Sequence, residues 1–332
     1  MLLFFCFLLG SLAVHVPHSF LAGANSLRSL WEINANLADY YLVMHGVGIA
    51  VLMCLRALSG KRRLVLSLLL LVVALPKLLD IAPFFGAPFY GAPFFGPRTN
   101  LPAKAVGTPL RVFVANVNTH SGDPAALASI IKRANPDILL LTEISDRWVN
   151  ELALGTTYPH KIEIPRNNNF GMALYSRVGI SRLVQTELGP NLPEIISAIL
   201  ETDSGFRFQF IGVHTLPPSS IGGIERSQQV LTEIIKQNKG SDIPLLIGGD
   251  FNASPHSSLY KNFVAELGLT NVQHGFGYHR SWNALSPYMR FTIDHLLYRG
   301  DIHVASYRTL EPFRSDHFPF IVELNIGSNT IE

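Results

Sequence analysis

At 332 residues the chain has room for one or two domains, and its 26 Lys and Arg against 24 Asp and Glu leave it near neutral. Hydrophobic residues make up 48% and charged residues only 15%, which is lean for a soluble protein. Both cysteines, Cys6 and Cys54, fall in the first hundred residues, so a disulfide framework and a thiolate metal site are excluded from the rest.

The apolar excess is concentrated in the N-terminal part. Residues 1 to about 22 form an apolar run interrupted by His15, Pro17 and His18. It reads as a first membrane helix or as a signal peptide: Ala22-Gly-Ala24 has the small-x-small form of a cleavage site, but no basic residue precedes the run. A second run over 40–58 is long enough to span a bilayer. A third over 64–81 carries Pro76, Lys77 and Asp80 toward its end. Arg56, Lys61, Arg62 and Arg63 lie between these two runs and form a positive-inside signal. The expectation is a membrane region over 1–81 with three spanning helices, the basic loop in the cytoplasm and the rest of the chain outside it.

Residues 82–96 repeat Ala-Pro-Phe-Phe-Gly, Ala-Pro-Phe-Tyr-Gly, Ala-Pro-Phe-Phe-Gly. Such Pro and Gly density breaks regular structure, and Phe and Tyr favour the membrane interface. The segment 82–108 reads as a linker, with the repeat either an aromatic collar at headgroup level or plain spacer.

From Leu110 the texture changes. Strands are expected at Arg111–Asn116, Asp137–Glu143, Gly171–Ser176, Ile195–Glu201, Phe206–Thr215, Pro244–Gly249, Thr292–Tyr298, His303–Leu310 and Phe318–Leu324. Helices are expected from Asp123 to about Ala134, over Gly223–Asn238 and near Ser257–Leu267. Strands outnumber helices and several are consecutive. That predicts an α/β sandwich of mixed sheets over 109–326, with 327–332 as a tail.

Leu245-Leu-Ile-Gly-Gly-Asp-Phe-Asn252 is a buried-strand pattern that delivers Asp250 and Asn252 together at its mouth. A carboxylate that can take a proton from water beside an amide that can donate to an oxyanion suits phosphate hydrolysis. An Asx-turn that merely holds a loop is the plainer reading. Other strand ends carry Asn116 and Asn118, Glu143, His214, Asp294 with His295, and Asp316 with His317, so one convergent pocket is expected.

The motifs ANVN, PDILLLTEI, GMALYSR, GVHTLPP, GDFNASP, TIDHLLY and SDHFPF occur in the order and context of the endonuclease/exonuclease/phosphatase superfamily, which this chain resembles over about 109–326. The resemblance implies a four-layer sandwich of two packed mixed β-sheets flanked by helices, with a divalent metal, Mg²⁺ or Mn²⁺, at one end. It implies Glu143 as the main metal ligand with Asn116 and Asp316 close by. It implies Asp250 and Asn252 at the attacking water and phosphate oxygen, His317 oriented by Asp294, and His214 at the leaving oxygen. Whether Asp250 or His317 is the base stays open. Asn118 departs from the superfamily's pattern where an aspartate is usual. Thr292 stands where many members carry arginine, with Arg290 as a nearby substitute, and Asn167-Asn-Asn169 occupies the place of an expected acid.

Residues 106–332 hold 18 Lys and Arg and 21 Asp and Glu, about net −3, with no basic cluster for a nucleic-acid backbone. A membrane-tethered site instead meets lipid phosphates at high local concentration. Membrane helices followed by this domain also resemble the VanJ-type membrane proteins, for which processing of polyprenyl pyrophosphate or a related lipid phosphate has been proposed. The expected partners are therefore the lipid bilayer of a bacterial cell (inner) membrane and a lipid-linked phosphate on its extracytoplasmic side. A membrane-anchored nuclease acting on nucleic acid, and a non-catalytic binding module on a membrane stalk, are the alternatives.

Overall fold

The structure, a computed structural model, describes residues 25–55, 58–86, 107–189, 191–220 and 222–327. The first apolar run and the second and third copies of the aromatic repeat lie outside the described residues.

Twelve strands among the described residues form two six-stranded sheets. The first contains β1 (Thr108–Asn116), β2 (Ile138–Thr142), β3 (His160–Ile164), β4 (Met172–Ser176), β11 (Ile302–Thr309) and β12 (Phe320–Ile326), in the order β11-β12-β1-β2-β4-β3. The second contains β5 (Gly179–Thr186), β6 (Ile195–Glu201), β7 (Arg207–His214), β8 (Leu245–Asp250), β9 (Thr270–Asn271) and β10 (Asp294–Arg299), in the order β5-β6-β7-β8-β10-β9. Each sheet has one parallel pair, β1 with β2 and β7 with β8, among antiparallel neighbours. The sheets are mixed, as expected from the runs of consecutive strands.

Alternation along the central strands builds the layers. Val112 and Val114 of β1, Leu140 of β2 and Leu246 of β8 point into the core between the sheets. Phe113 and Leu139 point the other way, under α4 (Pro124–Ala134) and α5 (Asp146–Leu152). Leu245 and Ile247 point under α6 (Gly223–Asn238) and α7 (Ser258–Leu267). Burial on both faces is why these strands read as continuous apolar runs. Local caps fix the helix starts. Asp123 accepts from Ala126 N at 3.0 Å with Pro124 in the first turn, and Ser257 accepts from Tyr260 N at 3.3 Å.

Gly249, just before Asp250, has φ 134°, and a Cβ there would lie 1.8 Å from the carbonyl oxygen of Val213. The parallel strand β7 occupies that space. Gly249→Ala is expected to cost roughly 3 kcal/mol or more, because both backbone and neighbour must move. Comparative denaturant melting checks this, and a loss within error of zero would show that the β7–β8 spacing is slack.

Three helices precede the sandwich: α1 (Asn25–Asn36), α2 (Ala38–Cys54) and α3 (Gly60–Ile81). Among the described residues, the helix Gly60–Phe85 is long and apolar enough to cross a membrane. The second apolar run is helical as α2, 17 residues long, and α1 meets it at a bend of 61°. The sequence carried no expectation of α1. Residues 82–85, expected to open the linker, form a short 3₁₀ turn instead. Phe84 is buried against His274 and Tyr278, while the carbonyls of Pro83 and Phe84 accept from Gly275 and Gly277.

The helices grip the segment that follows the Asp250 strand. Glu32 accepts from the hydroxyls of Ser257 and Ser258, and Asn36 Oδ1 accepts from Ser254 N at 2.8 Å. His256, fully buried, places Nε2 3.0 Å from Asp39 and Nδ1 3.1 Å from Asp80. Carboxylates on both ring nitrogens require both to donate, so the ring is an imidazolium. Burial alone would lower its pKa, but the hydrogen bonds to Asp39 and Asp80 outweigh that and hold it above 6.5. A histidine raised on folding contributes its stability in full below the ordinary value and loses it as pH rises through the raised one. Thermal unfolding of the full chain between about pH 6 and about pH 9 should show stability falling on the alkaline side, and His256→Gln should flatten that fall. An identical pH profile in the variant would contradict the ionised clamp.

Candidate active site

Five strand ends converge at one mouth. Asn116 and Thr142 are in register at the ends of parallel β1 and β2, and Glu143 follows directly. His214 and Asp250 are in register at the ends of parallel β7 and β8, and Asp294 opens antiparallel β10 opposite Asp250. The two sheets thus bring their functional side chains to the same edge of the sandwich.

Asn116 joins the two halves. Its amide nitrogen donates to Glu143 Oε1 at 2.9 Å and to Asp250 Oδ2 at 3.0 Å. Asp250 is buried. Its Oδ1 accepts from the Asn252 backbone N at 2.8 Å, and Oδ2 from the Asn252 side chain at 3.3 Å. Burial raises the Asp250 carboxyl well above the ordinary range, and the Asp294 charge adds to this against the pull of His317. His317 Nδ1 lies 2.7 Å from Asp294 Oδ2, and its Nε2 lies 3.7 Å from Asp250 Oδ2. Burial would lower the His317 pKa, but the Asp294 and Asp250 carboxylates outweigh it and push the ring up to about 10. His214 Nε2 stands 3.9 Å from Glu143 and 3.8 Å from Asp250; burial pushes its pKa down despite the Glu143 charge.

Backbone strain marks the same residues. Asn118, Glu143 and Asn252 all sit at left-handed φ, 57°, 60° and 47°. Asn tolerates this region, but Glu does not favour it, so Glu143 is held there by its surroundings at a cost of about 1–3 kcal/mol. Thr119 helps, donating its hydroxyl to the Glu143 carbonyl at 3.0 Å.

The carboxylates fit a divalent cation. Among the described residues neither Glu143 nor Asp250 has a Lys or Arg partner, and the cationic groups within 4.0 Å are histidines. Ligand atoms of Glu143, His214 and Asp250 lie within 4.8 Å of one another, and so do those of Asp250, Asp294 and His317. Asp294 Oδ2 and His317 Nδ1 already pair at 2.7 Å, so the group around Glu143, with Asn116 beside it, is the one that would hold the ion, leaving Asp250 and His214 to face the reacting atoms. A bound Mg²⁺ or Mn²⁺ would polarise a phosphate oxygen and offset its charge.

The structure brings Asn116, Glu143, His214, Asp250, Asn252, Asp294 and His317 together. Asp316 also lines the cavity, where its Oδ1 accepts from the Asn118 amide at 2.8 Å and its Oδ2 from Trp282 Nε1 at 2.7 Å. Asn118 therefore holds Asp316 rather than supplying a charge. Arg290 does not replace the missing arginine. It donates to the Ser286 carbonyl at 2.8 Å and lies over the Phe318 ring at 5.0 Å. His295 is a support: buried, pushed down to about 4, it bonds the Ala253 carbonyl and the Asn271 amide. The cavity, about 490 Å³, is also lined by Asn168, Asn169, Trp282 and Arg226. Asn168 and Asn169 sit where the sequence showed an amide run in place of an acid. Trp282 and Arg226 carried no local motif and were missed.

Fold and site together define the class: an α/β-sandwich hydrolase of phosphoester bonds. The chain belongs to the endonuclease/exonuclease/phosphatase family, whose model matches residues 114–317. Members of that family hydrolyse phosphoester bonds and use divalent metals. An endonuclease/exonuclease/phosphatase family protein from Bacteroides thetaiotaomicron shares the fold at 20% identity, TM-score 0.53, over 66% of this chain and 96% of that one. D. rerio TDP2 in complex with a single-strand DNA product matches at 17% identity, TM-score 0.56, over 66% and 99%. The human Nocturnin catalytic domain with bound sulfate matches at 20% identity, TM-score 0.53, over 67% and 97%. None of the curated proteins matches the chain.

Proposed function

We propose that this protein is a divalent-metal-dependent phosphoesterase, anchored in a bacterial cell membrane, that hydrolyses a lipid-linked phosphate or pyrophosphate on the extracytoplasmic side. One observation carries the reading: the ends of the apolar helices, at Asp39 and Asp80, hold His256, four residues beyond Asn252 in the catalytic loop. A site fixed to such helices works where lipid headgroups are concentrated. The net charge of the domain, about −3, agrees, since a nuclease needs a basic footprint.

In this reading His317, protonated and anchored on Asp294, donates from Nε2 to a phosphate oxygen. Asp250, its basicity raised by burial, takes the proton of the attacking water, and Asn252 steadies the phosphate. His214, largely neutral, faces the leaving oxygen. The basic residues at the start of α3 support a cytoplasmic position for that end and an external site. A reporter active only outside the cytoplasm, fused after Glu332, should then be active.

The nuclease reading is favoured by a single point, the DNA product bound to the D. rerio neighbour. The full chain in bilayer discs with Mg²⁺ separates the two when lipid pyrophosphate, phospholipid and DNA are offered side by side. Lipid-linked phosphate should be hydrolysed with little salt dependence. Preferential DNA cutting that weakens steeply with salt would establish the nuclease instead.

A further inference from the structure

Beyond Gly107, five large apolar side chains among the described residues are exposed, and the three most exposed share one loop: Leu285 at 65%, Tyr288 at 84% and Met289 at 50%. A solvent loop has no reason to gather such residues. This one is built to present them. Asn283 Oδ1 accepts from Leu285 N at 2.8 Å, Ser286 Oγ from Tyr288 N and Met289 N at 3.3 Å each, and the Ser286 carbonyl from Arg290 Nε.

The loop is tied to a helix. Tyr40, in the first turn of α2, donates its hydroxyl to the Tyr288 carbonyl at 2.9 Å and accepts from Arg290 N at 2.6 Å. Val43, Met44, Val47 and Val51 follow Tyr40 at helical spacing on one face, and all four are at least half exposed. The loop therefore stands at the head of an exposed apolar stripe. Its other root is the active site. Trp282 lines the cavity and donates to Asp316, whose carbonyl accepts from Ala284 N at 2.7 Å.

We propose that the Asn283–Arg290 loop dips into the headgroup layer of a lipid bilayer, with Leu285, Tyr288 and Met289 at the boundary between headgroups and acyl chains. It thereby forms the lip over which a lipid headgroup passes to His317. Resting on the membrane assignment above, the proposal adds the surface that meets the lipid. Tyr288 is the side-chain type that settles at that depth, and the Arg290 guanidinium at the base matches an anionic headgroup.

Two measurements on the full chain test it. The first reads depth without any substrate. Cys6 and Cys54 are replaced by serine, an environment-sensitive fluorophore is placed through Tyr288→Cys, and Leu183→Cys on β5 serves as the exposed control. In vesicles of anionic phospholipid, lipid-borne quenchers should quench the label at 288 and iodide should not, with the reverse at 183. Equal iodide quenching at both positions overturns the proposal, as does protection at 288 without lipid quenching, which would mean a protein contact. The second compares Leu285→Ser/Met289→Ser with the parent. Hydrolysis of a bilayer-borne phosphate lipid should fall about tenfold or more while a short soluble analogue stays within about twofold. Equal losses on both substrates, or none, overturn the lip role. If the depth result holds but no lipid is hydrolysed, the substrate assignment fails and the membrane contact stands.

Discussion

Replacing His317 with alanine is expected to lower turnover by about 10²- to 10⁴-fold while the protein stays folded, at a lower melting temperature. The ring has one carboxylate at 2.7 Å that fixes its orientation and a second at 3.7 Å across the reacting face. Removing it costs the proton donor and leaves Asp294 and Asp250 repelling each other in a buried corner. Asp250→Ala should cost a similar factor, because Asp250 is both the proton acceptor and the hub on which Asn116, Asn252 and both histidines converge. The double variant should be hardly worse than either single one, since the pair acts as a unit. Additive losses would mean that the two residues serve separate steps. Steady-state kinetics on a soluble phosphoester, with melting run in parallel, gives the answer.

Glu143→Gln is expected to abolish Mg²⁺-dependent activity while the domain stays folded. The substitution keeps the side chain's shape and its contact to Asn116 but removes the negative charge the cation needs. Stability should hold or rise slightly, because a partly buried carboxylate without a Lys or Arg partner is lost. The check is metal titration by calorimetry next to turnover. Full activity in the variant, or full activity of the parent protein in chelator, would remove Glu143 from the metal site.

Much of this site is legible in the sequence, because its residues stand at the ends of strands that are apolar on both faces. Asp137–Glu143 and Leu245–Asp250 announce themselves as buried strands, and their terminal acids follow. The edges are harder. β3, His-Lys-Ile-Glu-Ile, and β5, Gly-Ile-Ser-Arg-Leu-Val-Gln-Thr, lie at sheet margins with much of their surface exposed, so no apolar pattern marks them. Trp282 and Arg226 reach the cavity from a loop and a helix whose local sequences serve other contacts. The grip between the helices and the catalytic loop is invisible for a different reason. Glu32, Asp39, Asp80 and His256 are polar residues scattered over more than two hundred positions, and only folding makes them one buried cluster. The sequence reads 82–108 as a linker, yet a chain beginning near Thr108 would leave His256 and Ser257 without their partners Asp39, Asp80 and Glu32.

The bond cleaved can be read directly. Phosphorus NMR of a polyprenyl pyrophosphate in bilayer discs, incubated with the full chain and Mg²⁺, should show the paired pyrophosphate signals giving way to a lipid monophosphate and orthophosphate. The change should vanish in chelator and in Asp250→Asn. An unchanged spectrum from folded protein, under conditions where the same sample cuts single-stranded DNA, would contradict the lipid-phosphate function.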